Sequence, residues 1–247
     1  MSDLRVVIAA AGRGSRAGLP YPKTLYPVNG VPILLRILEL LMPYDANPTV
    51  VVSPIGEAPI RDCLTCAGFA AHLVMQPAAN GMGDAVLRFA NSPAFEIAEH
   101  LLLVWGDIPL IQPETVKVLV HTHFGNANDF TFATRQVDSA YTVVKRDPIG
   151  RVMGVVETRE LGLDHQQPGE RDIGLFVFRK DVTLTALSED LSGKFGKSTG
   201  EHGFLYVIEH LAKRGLRVEA LTIATELDLI SLNRLEDLAG ICAESLK

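Results

Sequence analysis

The side chains best suited to chemistry open the chain, in Leu4–Lys23, LRVVIAAAGRGSRAGLPYPK. Glycines in Gly12-Arg13-Gly14-Ser15-Arg16 let the backbone turn sharply and bring its N–H groups against an anion. The guanidinium of Arg16 adds a planar fork that fits phosphate oxygens, and Lys23, behind Pro22, adds a second cation. This is a phosphate cradle. A second signal is Trp105-Gly106-Asp107-Ile108-Pro109, where a carboxylate follows an apolar run. A hard oxygen there suits Mg²⁺ held between protein and substrate phosphates; the plainer reading is an Asp in a turn ahead of Pro109. A third is Gln76-Pro77-Ala78-Ala79-Asn80-Gly81-Met82-Gly83-Asp84, whose Gln76 amide can pair with a base edge while its glycines expose N–H groups.

Other phosphate loops fit less well. A Walker A loop closes on Gly-Lys-Ser/Thr, which the first turn lacks; Gly196-Lys197-Ser198 comes much later, with Leu191 where that motif's first glycine belongs. A dinucleotide fingerprint needs a helix starting inside the glycines and an acidic residue after the second strand. Pro20, Pro22 and Pro27 instead keep the chain extended, and Thr49–Val52 ends in Ser53-Pro54.

The elements that must position these groups follow a βαβα rhythm. Val6–Ala11, Thr49–Val52, Ala71–Gln76 and Leu101–Trp105 read as strands of a mostly parallel sheet, several apolar throughout because both faces are covered. Helices are expected over 31–42, 58–67, from the Gly81–Asp84 segment through about 90, and 113–121, with His121 and His123 on solvated surface. After Asp129 the runs FTFATRQV, YTVV, RVMGVVET and IGLFVF follow one another without long helices, so they should form a small mixed or antiparallel lid sheet over about 129–180, with a polar loop at 159–168. Helices at 181–187 and 203–213, a strand at 218–223 and an amphipathic helix at 232–245 complete the chain. The expected fold is a single α/β domain, 1–247, with helices on both faces of a Rossmann-like sheet.

With 47% hydrophobic residues in 247, the chain can bury a large core. A net charge of −6 argues against nucleic acid as a partner. No signal peptide or membrane-length apolar run is seen, and three cysteines suit a reducing compartment, so a cytoplasmic location is the default. Cys63 and Cys66 have C-x-x-C spacing but lie in a helical stretch and read as ordinary packed residues.

Gly-x-Gly-Ser-Arg, then five residues and Pro-Lys, resembles the nucleotidyltransferases that make nucleoside-diphosphate sugars. With the Gln76–Asp84 and Gly106-Asp107 segments in register, the chain is most similar to the uridylyltransferase domain of N-acetylglucosamine-1-phosphate uridylyltransferases, from Val6 to about Leu238. The resemblance implies that Ala10, Ala11, Gly12, Gly14, Ser15, Arg16, Gln76, Gly81 and Gly106 bind the nucleotide, and that Arg16, Lys23 and Asp107 carry catalysis. It also implies Mg²⁺ on Asp107 and Asn233, with Asp228 as a fallback ligand, and acceptor contacts from Gly150, Glu157 and Asp172. Family members that also acetylate continue into a β-helix; a chain ending at Lys247 is expected not to acetylate.

The implied reaction transfers a nucleoside monophosphate, UMP from UTP, to a sugar 1-phosphate, with pyrophosphate leaving. The attacking phosphate is anionic near neutral pH, its second pKa being about 6, so no general base is needed. Two other readings stay open: a cytidylyltransferase using CTP on a non-sugar phosphate, and a non-catalytic nucleotide sensor. No membrane partner is implied, and a homodimer is compatible with the resemblance. Where the family has Gly-Tyr-Gly-Arg, this chain has Pro148-Ile149-Gly150-Arg151; where the family has Asn in Glu-Ile-Asn-Thr-Gly, it has Asp172. A carboxylate only accepts hydrogen bonds, so N-acetylglucosamine 1-phosphate is expected not to be the best acceptor.

Overall fold

Apolar runs too hydrophobic to face water on either side form the centre of the molecule. A computed structural model describes residues 3–12, 18–158, 167–232 and 237. Strand β1 (Leu4–Ala9) lies parallel between β4 (Thr49–Val52) and β6 (His100–Trp105), while the short β2 (Pro27–Val28) and β3 (Val31–Pro32) form a separate antiparallel pair. Val50, Val51, Val52 and Leu101–Val104 are fully buried, as a sheet covered on both faces requires. Strand β5 (His72–Met75) adds a parallel edge beyond β4. On the other side β10 (Gln167–Arg179) runs antiparallel to both β6 and β7 (Phe130–Ala140), and β11 (Val218–Thr222) pairs parallel with β7. The seven-stranded order is β11-β7-β10-β6-β1-β4-β5, mostly parallel as expected.

Each face carries its own core. Helix α1 (Ile33–Leu41) turns Ile33, Leu34, Ile37, Leu38 and Leu41 onto one face, beside α2 (Glu57–Ala67) and α4 (Pro113–Gly125). The opposite face holds a group of aromatic rings, with Phe130 and Phe178 stacked at 5.4 Å between centroids and Phe204 set edge-on to Phe176. Helices α3 (Met82–Leu87), α5 (Lys180–Ser188) and α6 (Tyr206–Lys213) cover it.

The region expected to form a separate lid divides in two. β7 and β10 belong to the main sheet, because their Phe-rich halves complete the aromatic core. Among the described residues of this region, the hairpin of β8 (Thr142–Arg146) and β9 (Val152–Glu157) alone forms its own antiparallel sheet. Arg146 ties it down, donating to Glu170 from Nε at 2.7 Å and from Nη2 at 2.7 Å. Burial alone would raise the Glu170 pKa, but Arg146 and Thr134 outweigh it and hold the carboxyl below its usual range.

Two surface readings are corrected. Helix α4 runs on to Gly125 and turns His123 inward. Fully buried there, His123 bonds His100 through Nε2 at 2.9 Å and the Thr131 hydroxyl through Nδ1 at 2.9 Å, while His121 stays exposed. Cys66 is exposed on α2 rather than packed, and burial raises the thiol pKa of Cys63, against reactivity. The helix expected at 232–245 lies outside the described residues apart from Leu232 and Asp237.

Candidate active site

β1 and β6 end side by side, with Ala9 opposite Trp105. Everything placed just beyond either strand therefore meets at one edge of the sheet, where open α/β sheets bind ligands. Ala10 remains attached to the sheet, its N–H donating to Val51 O at 2.9 Å. Gly106 donates to Ala9 O at 3.0 Å, and a Cβ on it would lie 2.8 Å from that oxygen, so only glycine fits this crossing.

One residue on, Asp107 is 8% exposed and ion-paired through Oδ2 with Lys23 Nζ. Lys23 begins a single 3₁₀ turn, Lys23–Leu25, behind Pro22, which is extended at φ −55° and ψ 130°. The lysine stem passes directly over Gly12, where a Cβ would come within 3.0 Å of Lys23 Cε. Thus Gly12, Lys23, Gly106 and Asp107 are gathered, as their motifs suggested. The other oxygen, Asp107 Oδ1, is buried and has no hydrogen-bond partner among the described residues. A buried carboxylate oxygen left bare is costly unless something else meets it.

The C-terminal segment reaches the same edge. Leu232 N donates to Asp107 O at 2.8 Å, which brings the backbone preceding Asn233 onto the carboxylate residue. Asn233 itself lies outside the described residues, as do Gly14, Ser15 and Arg16. Asp228 does not qualify as a ligand. It is 1% exposed and accepts from Gln112 N, Thr115 Oγ1, Thr225 N and Thr225 Oγ1 at 2.7 to 3.0 Å, so its lone pairs are occupied within the fold.

Gln76 follows β5, with its N–H on Val52 O at 2.8 Å and its side chain 5% exposed. Its amide nitrogen donates to Gly81 O and to Asp84 Oδ2, each at 2.9 Å. Gly81, at φ +102°, is closed over by a segment that sequence reasoning did not single out. His202 N donates to Asn80 O at 2.7 Å and Gly83 N to His202 O at 3.0 Å. Any Cβ at Gly81 or Gly83 would strike that backbone, at 2.3 and 2.1 Å. Close glycine packing was the available signal; its partner, 120 residues away, was not.

Of the three acceptor candidates, the structure brings two to one end of the hairpin. Glu157 pairs across from Thr142, and the Thr142 hydroxyl donates to Asp172 Oδ1 at 2.5 Å. Asp172 also accepts from Gly174 N at 3.1 Å, is fully buried, and has its pKa raised by that burial. It braces β10 against the hairpin instead of opening toward a ligand. Gly150 is corrected too. It lies in the exposed turn at the opposite end of the hairpin, its N–H on Asp147 O at 2.9 Å, because residues 147–151 are the hairpin's reversal. Tyr141, unforeseen, stands beside Asp172 with the Arg171 guanidinium 4.0 Å from its ring centre and donating to its hydroxyl. Burial pushes its pKa up to about 12, and the charges of Asp172 and Asp107 act in the same direction.

Comparison with known proteins identifies the family and the fold. Residues 6–171 match the model of the MobA-like NTP transferase domain. The bifunctional protein GlmU of Symbiobacterium thermophilum is 30% identical over 97% of this chain and 50% of its own length. GlmU of Heliobacterium modesticaldum is 29% identical over 97% and 51%. The chain thus spans about half the length of these curated relatives. Among solved structures, a UDP-glucose pyrophosphorylase complexed with UDP-glucose superposes with a TM-score of 0.78 at 18% identity, covering 100% of this chain and 99% of that one. The inositol-1-phosphate CTP transferase of T. maritima gives 0.67 at 19%, covering 90% and 86%. These two establish the shared fold, and the domain match across the glycine loop, Lys23 and Asp107 establishes the lineage: the chain belongs to the MobA-like NTP transferase family.

Proposed function

We propose that this chain is a Mg²⁺-dependent nucleotidyltransferase that transfers UMP from UTP to a sugar 1-phosphate and releases pyrophosphate. The observation that carries the reading is the contact of Lys23 with Asp107 at the joint end of β1 and β6, with Asp107 Oδ1 buried and bare. That oxygen fits a hard cation, and Asn233 would be the second protein ligand. Among the described residues no three His, Cys, Asp or Glu gather as a metal cage, so phosphate oxygens would complete the shell. Bound there, Mg²⁺ would neutralise charge on the triphosphate.

A sugar-phosphate oxygen attacks the α-phosphorus, forming the new P–O bond as the bond to the bridging α,β-oxygen breaks. Pyrophosphate leaves with that electron pair. Lys23 supplies a fixed ammonium where phosphate charge accumulates, and Gly12 allows the phosphates to approach the backbone. Glu157 is the acceptor contact we retain. The burial of Asp172 removes the argument that set N-acetylglucosamine 1-phosphate aside, so it rejoins the other hexose 1-phosphates as a candidate. Pyrophosphate release should be screened with four triphosphates against hexose 1-phosphates and small phosphorylated alcohols. Highest kcat/KM for UTP with a hexose 1-phosphate supports the proposal; a non-sugar acceptor with CTP, or no release in any pairing, contradicts it.

A further inference from the structure

The Gln76 amide can face only one way. Its Nε2 meets Gly81 O and Asp84 Oδ2, each at 2.9 Å, and neither a carbonyl nor an ionised carboxylate can donate. Both amide hydrogens are thereby committed. What Gln76 has left for a ligand is its carbonyl oxygen, an acceptor only.

Asp84 holds that orientation, and it is held in turn. It is 9% exposed in the first turn of α3, and Arg88, one turn on, pairs with it through Nη2, with Nε 3.4 Å from Oδ2. Burying a carboxylate beside an ion-pair partner fixes its place in the site. The loop supplying the second acceptor is equally fixed, since backbone from His202 fills the space around Gly81.

We propose that Asp84, braced by Arg88, is a positioning residue that locks the Gln76 amide carbonyl toward the nucleotide, so that the site selects a base presenting an N–H, as uracil does and cytosine does not. The inference rests on the reading of this site as a nucleoside triphosphate site. Uracil carries N3–H between two carbonyls, whereas N3 of cytosine is a lone pair. Cytosine would set that lone pair against Gln76 Oε1, two acceptors with no proton between them. Sites built around a polar match reject a mismatched analogue strongly.

The test compares UTP and CTP by titration calorimetry and by kcat/KM, in the wild type and in Asp84→Leu, Asp84→Asn and Arg88→Met. The wild type should favour UTP on the order of 10²-fold. Asp84→Leu removes one of the two acceptors and leaves only Gly81 O to hold the amide, so the flipped orientation becomes accessible. The preference should then shrink about tenfold or more, with CTP binding gained and not only UTP binding lost. Asp84→Asn, whose carbonyl still accepts, should keep the preference. Thermal melting reports whether each variant is folded. Should Asp84→Leu not fold, Arg88→Met, which leaves Asp84 in place but unbraced, should move the ratio the same way by a smaller factor. An unchanged UTP-to-CTP ratio in the folded variants overturns the inference, as does a wild type that prefers CTP or a purine. Failure of the wild type to bind any triphosphate overturns the nucleotide-site reading first, and the inference with it.

Discussion

A single added methyl tests how closely the catalytic edge is built. At Gly106 a Cβ would sit 2.8 Å from Ala9 O, so Gly106→Ala must part the ends of β1 and β6, and the next residue to move is Asp107. Turnover should fall by roughly 10- to 10²-fold, the scale on which small misplacements act, while far-UV circular dichroism stays native; a fully active variant would show that the crossing is not tight. Legibility at this scale was uneven for a physical reason. Glycine, lysine and carboxylate at strand ends announce themselves by type, and Gly12, Lys23, Gly106 and Asp107 did meet. Asp228 and Asp172 looked equally available because a sequence does not show which carboxylates are already satisfied. The donors on Asp228 include Gln112 N, 116 positions away.

Elements were legible where periodicity was strong. The apolar strands β1, β4 and β6 and helix α1 lie close to where the hydrophobic pattern put them. The 129–180 strands are antiparallel or mixed as expected, but the separate sheet is smaller than the region, because alternation identifies a strand without naming its neighbour and the aromatic core drew β7 and β10 into the main sheet. Gly150 was misplaced for a related reason: the hairpin's register, not its motif, decides which residues turn the chain. Two variants test how the hairpin is attached. Arg146→Met leaves the buried Glu170 carboxylate without its cation, with only the Thr134 and Thr222 hydroxyls on it, and should cost about 3–5 kcal/mol in urea unfolding; a loss below about 1 kcal/mol would mean the pair contributes little. Asp172→Asn should leave the acceptor KM nearly unchanged and hold or raise Tm at neutral pH, since a buried carboxyl whose pKa is raised is destabilising once ionised. A tenfold rise in KM would instead return this residue to the acceptor site.

For the molecule as a whole, the buried His100–His123 pair sets an acid limit. Burial, with His100 second, lowers the His123 pKa to about 3, and burial lowers that of His100 as well. The unfolded chain binds protons near the ordinary histidine value of about 6.5. Stability is therefore complete above that pH and drains away below it, by up to about 1.4 kcal/mol per pH unit for each such group until its folded pKa is reached. Urea unfolding at pH 7.5, 6 and 5 should show this slope, and His123→Phe should flatten it; an identical slope in the variant would place the acid sensitivity elsewhere. Catalysis at the edge where β1 and β6 end is read out by pyrophosphate release from UTP and a hexose 1-phosphate at saturating Mg²⁺. Wild type, Lys23→Ala and Asp107→Ala would be compared, with each variant's fold verified by melting. The wild type should release pyrophosphate in a Mg²⁺-dependent way, and each variant should lose on the order of 10²-fold or more, the effect of removing one preorganised charge-stabilising group. Turnover within a few-fold of wild type in both variants would contradict the catalytic role of both residues.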